Sequence, residues 1–208
     1  MKLLIVRHGE PEGNERGKRF LGTYDAALSD IGLEQAYNAG KLIAERVACH
    51  DVSIVSSPLI RSMQTALAIR ECLGCGPARI DPRLSEIDMG KWNGKLFDDI
   101  RDEYPEEFYA RGRDLWNYKA PGGENFAETG ARFKAAMESI INESPDDSIL
   151  IVVSHAGAIR AGLSLMTDTP FRIWMKRSIP YAGILQVEIK DDHFCFPEKA
   201  WTYRKPGR

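Results

Sequence analysis

Three short and nearly continuous runs of apolar residues stand out along the chain. Their sequences are KLLIV (2–6), VSIV (52–55) and ILIVVS (149–154). Short runs rich in β-branched residues, without strict alternation, are typical of strands that are buried on both faces of a parallel sheet. The pattern therefore predicts three central strands of one sheet.

Apolar residues between and after these strands recur with a spacing near 3.6, which predicts helices. Ser29 and Asp30 can cap the first helix, and Pro58 suits the first turn of the second. The predicted helices cover residues 31–47, 58–73, 123–142 and 156–166. Strands that alternate with helices indicate an α/β domain with a parallel sheet.

The end of the chain shows two strand-like stretches with no helix between them. Residues 181–189 (YAGILQVEI) and 193–201 (HFCFPEKAW) are separated by a short polar connection. This arrangement predicts an antiparallel hairpin.

Residues 95–122 interrupt the alternation with charged and aromatic side chains. We interpret this segment as a helical cap over a site, inserted into a single domain that covers residues 1–208. A decorative surface insertion is the alternative. Cap side chains that could meet a ligand, or that could instead pack on the body, are Arg111, Arg113, Lys119, Tyr109, Trp116 and Tyr118.

Composition narrows the function classes. The chain has 208 residues, 43% hydrophobic and 28% charged, which fits one globular domain of ordinary size. Its net charge of −2 provides no basic field for nucleic acid or for an anionic membrane, so we expect neither as a partner. The N-terminal apolar run is too short for a signal core or a membrane span, which favours the cytoplasm.

The four cysteines include one C-x-x-C pair, Cys72 and Cys75. A zinc site would need a second pair or nearby histidines, and a redox dithiol usually opens a helix, whereas this pair follows one. We expect idle thiols in a reducing compartment, with a metal or redox site as the alternative.

Basic residues follow the predicted strands. Arg7 and His8 end the first strand, Arg61 lies one turn into the helix after the second, and His155 ends the third. Ligands of open α/β sheets bind beyond the carboxyl ends of the strands, so we expect these four side chains to converge. The alternative for each residue alone is an ordinary packed or solvated side chain.

The expected cluster suits a compact dianion such as a phosphoryl group, because guanidiniums and helix N-termini match phosphate oxygens. Gly9 lets the backbone approach such a ligand closely, and the Asn14 amide can donate to the same oxygens. The sequence therefore predicts a phosphate site at this edge of the sheet.

Five segments together resemble the histidine phosphatase superfamily, the phosphoglycerate-mutase-like proteins. In chain order they read VRHGEPEGN, LSDIGLEQA, SSPLIRSMQTA, LSEIDMGKWNG and VSHAGAIRA. The resemblance implies a three-layer α/β/α sandwich with a mostly parallel sheet and a small helical cap. It also implies a covalent phosphohistidine mechanism without a metal or another cofactor.

Carried over by position, the resemblance makes His8 the nucleophile and Glu86 the acid and base. It also implies a catalytic or phosphate-binding role for four further residues, Arg7, Asn14, Arg61 and His155. The residues by themselves leave the acid open among Glu10, Glu12, Glu86 and Asp88. Further substrate contacts are expected from Leu21, Gly22, Thr23 and Ala156.

The segments EIDMGKWNG and APGGENF resemble the phosphatase branch that includes α-ribazole phosphatases and broad-specificity phosphatases. We therefore expect hydrolysis of a small phosphomonoester, with α-ribazole 5′-phosphate as one candidate. A cofactor-dependent phosphoglycerate mutase is the alternative. The chain departs from the usual family residues at Pro11, Asn93 and Asn125.

Two rival hypotheses belong to other classes. The histidines and carboxylates could ligate a metal, although the neighbouring arginines would repel a cation. The chain could also be a non-catalytic module that binds phosphorylated ligands, although no expected member of the catalytic set is missing. The oligomeric state is not indicated by the sequence.

Overall fold

A six-stranded sheet runs through the protein, whose computed structural model describes residues 1–13, 17–47, 51–145, 147–190 and 193–195. Its strands are β1 (Lys2–Arg7), β2 (Val52–Ser56), β3 (Arg79–Ile80), β4 (Ile149–Ser154), β5 (Ile184–Lys190) and β6 (His193–Cys195). They lie in the order β3-β2-β4-β1-β5-β6.

The first four strands in that order are parallel, and the two at the β5–β6 edge are antiparallel. The three predicted central strands are confirmed to within one residue at each end. Every residue of β4 is buried, as its continuous apolar run indicates.

The predicted hairpin is confirmed for β5 and β6, which pair antiparallel. The prediction that β5 begins at Tyr181 is wrong. A tight turn precedes it, in which the Gly183 N–H donates to the Pro180 carbonyl (3.0 Å), and Ala182 has a positive φ of 52°. A strand cannot pass through that backbone conformation. The predicted residues 196–201 lie outside the described part of the chain.

Seven α-helices occur among the described residues. They are α1 (Asp30–Ala44), α2 (Ile60–Leu73), α3 (Phe97–Glu103), α4 (Pro105–Arg113), α5 (Phe126–Asn142), α6 (Ala156–Met166) and α7 (Phe171–Lys176). None of the helices in these ranges is long and apolar enough to cross a membrane.

Local chemistry explains where these helices begin. Ser29 caps α1, as predicted, by accepting the Gly32 N–H (3.1 Å). The helix predicted from residue 123 begins instead at Phe126, because Asn125 and Glu128 form a reciprocal capping box there. That box also gives a structural role to Asn125, one of the departures from the family.

The sheet is covered by helices on both faces. Side chains of β1 alternate, so that Leu3 and Ile5 pack with α5 and α6, whereas Leu4 and Val6 pack with α1 and α2. The three-layer α/β/α sandwich with a mostly parallel sheet is therefore confirmed.

The segment predicted as a cap contains α3 and α4. Its aromatic side chains join a third apolar cluster, in which the ring of Phe97 stacks on that of Phe20 at a centroid distance of 3.7 Å. Trp116 and Tyr118 also pack in this cluster, against Phe171 and Trp92 respectively. Packing onto the body is therefore the role observed for these two aromatics.

Substitution of Gly162 should destabilise the layer formed by α5 and α6. A Cβ at this position would overlap the ring of Phe133 on α5. We expect Gly162→Ala to lower the free energy of unfolding by about 1–3 kcal/mol, measured by urea denaturation.

The matched control is Gly112→Ala on α4, where an added Cβ would meet nothing within 4 Å. We expect this change to raise the free energy of unfolding by about 0.5–1 kcal/mol. Equal effects of the two substitutions would contradict the packing assigned to Gly162.

Candidate active site

His8 is the first residue after β1 and is only 3% exposed. Its backbone is held on both sides, because its N–H donates to the Ser154 carbonyl (3.0 Å) and its carbonyl accepts from the Ala182 N–H (3.1 Å). A strand in the middle of the sheet therefore delivers this imidazole to a fixed position.

The ring of His8 has a defined tautomer when it is neutral. Nδ1 lies 2.6 Å from the carbonyl oxygen of Gly9, and a carbonyl can only accept, so the proton resides on Nδ1. The lone pair of Nε2 is then left for another partner. Gly9 is itself constrained, since a Cβ there would overlap the Gly32 carbonyl.

Arg61, the second predicted cation, is completely buried. Its Nη1 and Nη2 donate to the carbonyls of Tyr24 (2.8 Å) and Gly22 (2.7 Å). Arg7 likewise donates from Nη1 to the Ile179 carbonyl (2.7 Å). Among the described residues neither guanidinium forms a salt bridge with a carboxylate, so backbone dipoles hold both and their positive charge is not neutralised by an ion pair.

His155 lies directly beside His8, with 4.9 Å between the ring centroids. It precedes the first residue of α6, and its Nε2 lies 2.8 Å from Ser57 Oγ and 3.2 Å from Ser62 Oγ. The predicted convergence of Arg7, His8, Arg61 and His155 is therefore present in the fold.

Three nitrogen atoms of this cluster are buried without a hydrogen-bond partner in the described part of the chain. They are Arg7 Nε, Arg61 Nε and His155 Nδ1. Buried polar groups are normally paired, because an unmet donor costs about 1–3 kcal/mol. An anion with several acceptor oxygens, such as a phosphoryl group, would satisfy donors of this kind.

Both histidines are held in the neutral form. Burial lowers the pKa of His8 well below 6.5, and the charges of Arg61 and Arg7 lower it further. Burial, followed by the charge of Arg61 and the neighbouring His8, has the same effect on the pKa of His155. A neutral imidazole is the form that can act as a nucleophile.

Glu86 is anchored at the N-terminus of α6. Its carboxylate accepts hydrogen bonds from the backbone N–H groups of Gly157 (3.0 Å) and Ala158 (2.8 Å). It also accepts one from the N–H of the next residue, Ile87 (3.0 Å). Its charge raises the pKa of both Arg7 and Arg61 against the opposing effect of their burial. Glu86 therefore belongs electrostatically to the cluster.

The other carboxylates that were open as the acid are Glu10, Glu12 and Asp88; the charge of Glu10 also raises the pKa of Arg7, as that of Glu86 does, whereas the other two have different surroundings. Asp88 accepts from Asn93 Nδ2 (2.6 Å), the Gly90 N–H (2.8 Å) and Thr23 Oγ1 (3.3 Å). These bonds outweigh its burial and lower the pKa of Asp88, which makes it a structural anion. Glu12 lines a separate cavity of about 910 Å³, outside the histidine pair.

Of the residues expected to contact the substrate, two adjoin the cluster, one lines the other cavity and one binds the protein itself. Gly22 supplies the carbonyl that holds Arg61, and Ala156 begins α6. Leu21 lines the 910 Å³ cavity. Thr23 is engaged with the protein itself, since its N–H donates to Asn93 Oδ1 (3.1 Å) and its hydroxyl to Asp88. Asn14 lies outside the described residues, so its role stays a prediction.

The same contacts explain the departure from the family at Asn93. Its Oδ1 accepts the N–H groups of Thr23 and Met89, and its Nδ2 binds Asp88, so it ties two loops together. Pro11 is buried and faces Leu28 in an isolated bridge. Nothing in the structure explains why proline in particular stands there.

Sequence reasoning missed Tyr181 and Arg132. The Arg7 guanidinium lies 3.8 Å from the centre of the Tyr181 ring. Because β5 is antiparallel to β1, the turn before β5 reaches the same edge as the end of β1, and that rule could have pointed to Tyr181. Arg132 binds the carbonyls of Ser85 (2.7 Å) and Glu86 (2.9 Å) and thereby holds the loop that carries Glu86.

The arrangement contains no metal-binding cluster of three or more histidine, cysteine, aspartate or glutamate side chains within the described ranges. Cys72 and Cys75 are free thiols, and burial raises the pKa of each. A raised pKa disfavours the reactive thiolate.

The lowered pKa values predict how stability depends on pH. Between pH 6.5 and each lowered folded-state value, the unfolded chain binds a proton that the folded chain excludes, so stability falls as the pH falls. We expect the free energy of unfolding to decrease between pH 7 and pH 5 by up to about 1.4 kcal/mol per pH unit for each histidine.

Urea denaturation at several pH values checks this slope in the wild type, in His8→Asn and in His155→Asn. Each single substitution should reduce the slope of the unfolding free energy against pH by the contribution of about one proton. The variant that carries both substitutions is measured in the same way, and a wild-type slope equal to its slope would contradict the assignment of two neutral buried imidazoles.

The chain is similar to known proteins along most of its length. It is 35% identical over 162 residues to phosphoserine phosphatase 1 of Hydrogenobacter thermophilus, which covers 77% of this chain and 74% of the relative. It is 33% identical over 209 residues to the "Probable phosphoglycerate mutase GpmB" of Yersinia pestis, which covers 100% and 93%.

A solved structure shows the same fold. Mycobacterial glucosyl-3-phosphoglycerate phosphatase in complex with VO3 superposes with a TM-score of 0.83 at 26% identity, covering 98% of this chain and 99% of that one. These similarities confirm the prediction of a phosphatase-type enzyme at the level of the family. With residues 3–201 matching the family directly, the chain belongs to the histidine phosphatase superfamily (branch 1).

Proposed function

We propose that this protein hydrolyses a small phosphomonoester through a phosphorylated His8. The observation that carries the proposal is the fixed, neutral His8 beside side chains whose buried nitrogens lack partners in the described part of the chain. Nδ1–H is bound to the Gly9 carbonyl, so Nε2 is left as the nucleophile. The His155 ring lies 4.9 Å from the His8 ring, the charges of Arg61 and Arg7 act on it, and each of these three side chains has one such nitrogen.

In the first step, His8 Nε2 attacks phosphorus and the bond from phosphorus to the alcohol oxygen breaks. Glu86, as the carboxylic acid, gives its proton to that oxygen. The phosphorylated ring keeps its Nδ1–H bond to the Gly9 carbonyl, which stabilises the positive charge that forms on the imidazole.

In the second step, the Glu86 carboxylate removes a proton from water, and the water oxygen attacks phosphorus. The bond from phosphorus to Nε2 breaks, which releases inorganic phosphate and returns neutral His8. Arg7, Arg61 and His155 hold the equatorial oxygens in both steps and stabilise the charge as it redistributes.

The names of the relatives support a small phosphorylated metabolite as the substrate class. They include a phosphoserine phosphatase and a glucosyl-3-phosphoglycerate phosphatase, and also a phosphoglycerate mutase. We favour hydrolysis over mutase activity because the segments EIDMGKWNG and APGGENF resemble the phosphatase branch. The candidate α-ribazole 5′-phosphate stays a prediction.

We also propose that the protein acts as one domain in the cytoplasm, with residues 95–122 as the cap of the site. The free thiols of Cys72 and Cys75 fit a reducing compartment. The packing of Phe97 on Phe20 supports a cap that is joined to the body through aromatic side chains.

A covalent phosphoenzyme is the first expected outcome. Rapid quenching during turnover of a ³²P-labelled phosphomonoester should trap phosphate that is stable to alkali and labile to acid, because phosphorus is bound to nitrogen. His8→Ala should retain no label, and a chelator should not reduce the wild-type signal, since guanidiniums neutralise the phosphate.

Glu86→Gln separates the two steps. The amide cannot remove a proton from water, so the phosphoenzyme should persist at least ten-fold longer than in the wild type. Equal lifetimes would refute the role of Glu86, and undiminished labelling of His8→Ala would refute the nucleophile. Binding of phosphate esters without any turnover would support the non-catalytic module instead.

A metabolite panel tests the reaction type. We expect inorganic phosphate to be released from one or more of phosphoserine, α-ribazole 5′-phosphate, glucosyl-3-phosphoglycerate and the two phosphoglycerates. Conversion of 3-phosphoglycerate into 2-phosphoglycerate, followed by ³¹P NMR and faster than phosphate release, would establish the mutase alternative.

A further inference from the structure

We propose that Tyr181 is a positioning residue, whose ring holds the guanidinium of Arg7 in the orientation that phosphate binding requires. This inference rests on the proposed function, because it assigns a cause to the placement of one of the phosphate-binding residues. It concerns a residue to which neither the motifs nor the names of the relatives give a role.

The first observation is the stack itself. The central carbon of the Arg7 guanidinium lies 3.8 Å from the centre of the Tyr181 ring, which is a close cation–π contact. A planar guanidinium stacked on an aromatic face keeps its N–H groups in the plane of the stack, free to donate at the edges. The ring therefore restricts the orientation of the guanidinium, and a side-chain hydrogen bond from Arg7 to the Tyr181 hydroxyl adds a second contact with the same residue.

The second observation is that Arg7 has little else to orient it. Nη1 donates to the Ile179 carbonyl (2.7 Å), Nε is buried without a partner, and within the described ranges no carboxylate forms a salt bridge with the group. Apart from its contacts with Tyr181, this one hydrogen bond would leave the guanidinium free to rotate about the Ile179 carbonyl. The ring of Tyr181 supplies the second constraint.

The third observation is that the turn carrying Tyr181 is attached to the nucleophile. Ala182 donates its N–H to the His8 carbonyl (3.1 Å) and has a positive φ of 52°, which is strained for a residue with a side chain. The Tyr181 ring also lies 5.8 Å from the His8 ring, centroid to centroid. The turn thus fixes nucleophile and arginine with respect to each other.

Electrostatics agrees with this placement. Burial lowers the pKa of Arg7, and Tyr181 opposes that effect, in part through a side-chain hydrogen bond. Tyr181 opposes the effect of burial on Arg61 as well, so its side chain lies within electrostatic reach of both phosphate-binding arginines.

The test separates the ring from the hydroxyl. Tyr181→Phe keeps the stack, whereas Tyr181→Leu removes it. For the leucine variant we expect kcat/KM for p-nitrophenyl phosphate to fall about ten-fold and the Kd of orthovanadate to rise by a similar factor. For the phenylalanine variant we expect both values to stay within about three-fold of the wild type.

Tyr37→Leu is the matched control. Tyr37 lies on α1, is 40% exposed and donates its hydroxyl to Glu71 (2.5 Å), away from the residues assigned to the site. This variant should match the wild type in both readouts. Tyr181→Met, which lacks a ring and has a similar length, repeats the test should thermal melting show that the leucine variant is unfolded.

A double-mutant cycle with Arg7→Lys tests whether Tyr181 acts through Arg7. Lysine has no planar guanidinium to orient. In the Arg7→Lys background, Tyr181→Leu should therefore lower kcat/KM for p-nitrophenyl phosphate by less than three-fold. A full ten-fold loss there, equal damage from the phenylalanine and leucine variants, or vanadate affinity unchanged in Tyr181→Leu would each overturn the proposal.

The two proposals can fail separately. Wild-type protein that binds vanadate but forms no phosphoenzyme would refute the proposed hydrolysis, and the vanadate affinities would still decide on Tyr181. Wild-type protein that forms the phosphoenzyme, with vanadate affinity unaltered in Tyr181→Leu, would refute only the role of the tyrosine.

Discussion

The burial of two guanidiniums without carboxylate partners is the constraint on which the rest of this structure depends. Arg61 is completely buried, Arg7 is half-buried with its Nε inside the protein, and backbone carbonyls hold both. Burial of an unpaired charge is costly, so the surrounding structure must be rigid enough to prevent the side chains from escaping to water. That rigidity is supplied by the sheet, whose central strands end at this point.

Burial and the same positive charge together determine the state of the histidines. Burial lowers the pKa of His8 most, Arg61 and Arg7 lower it further, and the Gly9 carbonyl selects which nitrogen carries the one proton of the neutral ring. The cationic field therefore has two effects, since it attracts a phosphoryl anion and helps burial to keep the nucleophile unprotonated. One electrostatic feature thus prepares both partners of the reaction.

Outer residues hold this arrangement by hydrogen bonds to the backbone. Arg132 is paired with Glu124 (2.9 Å) and binds the carbonyls of Ser85 and Glu86, which fixes the loop that carries the carboxylate. The N-terminus of α6 then receives that carboxylate through the Gly157 and Ala158 N–H groups. These contacts explain how the Glu86 carboxylate can stand near Arg7 and Arg61 without forming a salt bridge with either of them.

The sequence by itself determined the central strands, the main helices and the convergence of Arg7, His8, Arg61 and His155, because local apolar patterns and the edge rule of α/β sheets depend only on chain order. The residues by themselves left the acid open, and only the family resemblance pointed to Glu86; tertiary structure decided how that carboxylate is anchored at α6 and that Tyr181 lies against Arg7. Glu86 follows no strand of the predicted pattern, and Tyr181 reaches the site through the direction of β5, so both depend on packing between segments far apart in the chain.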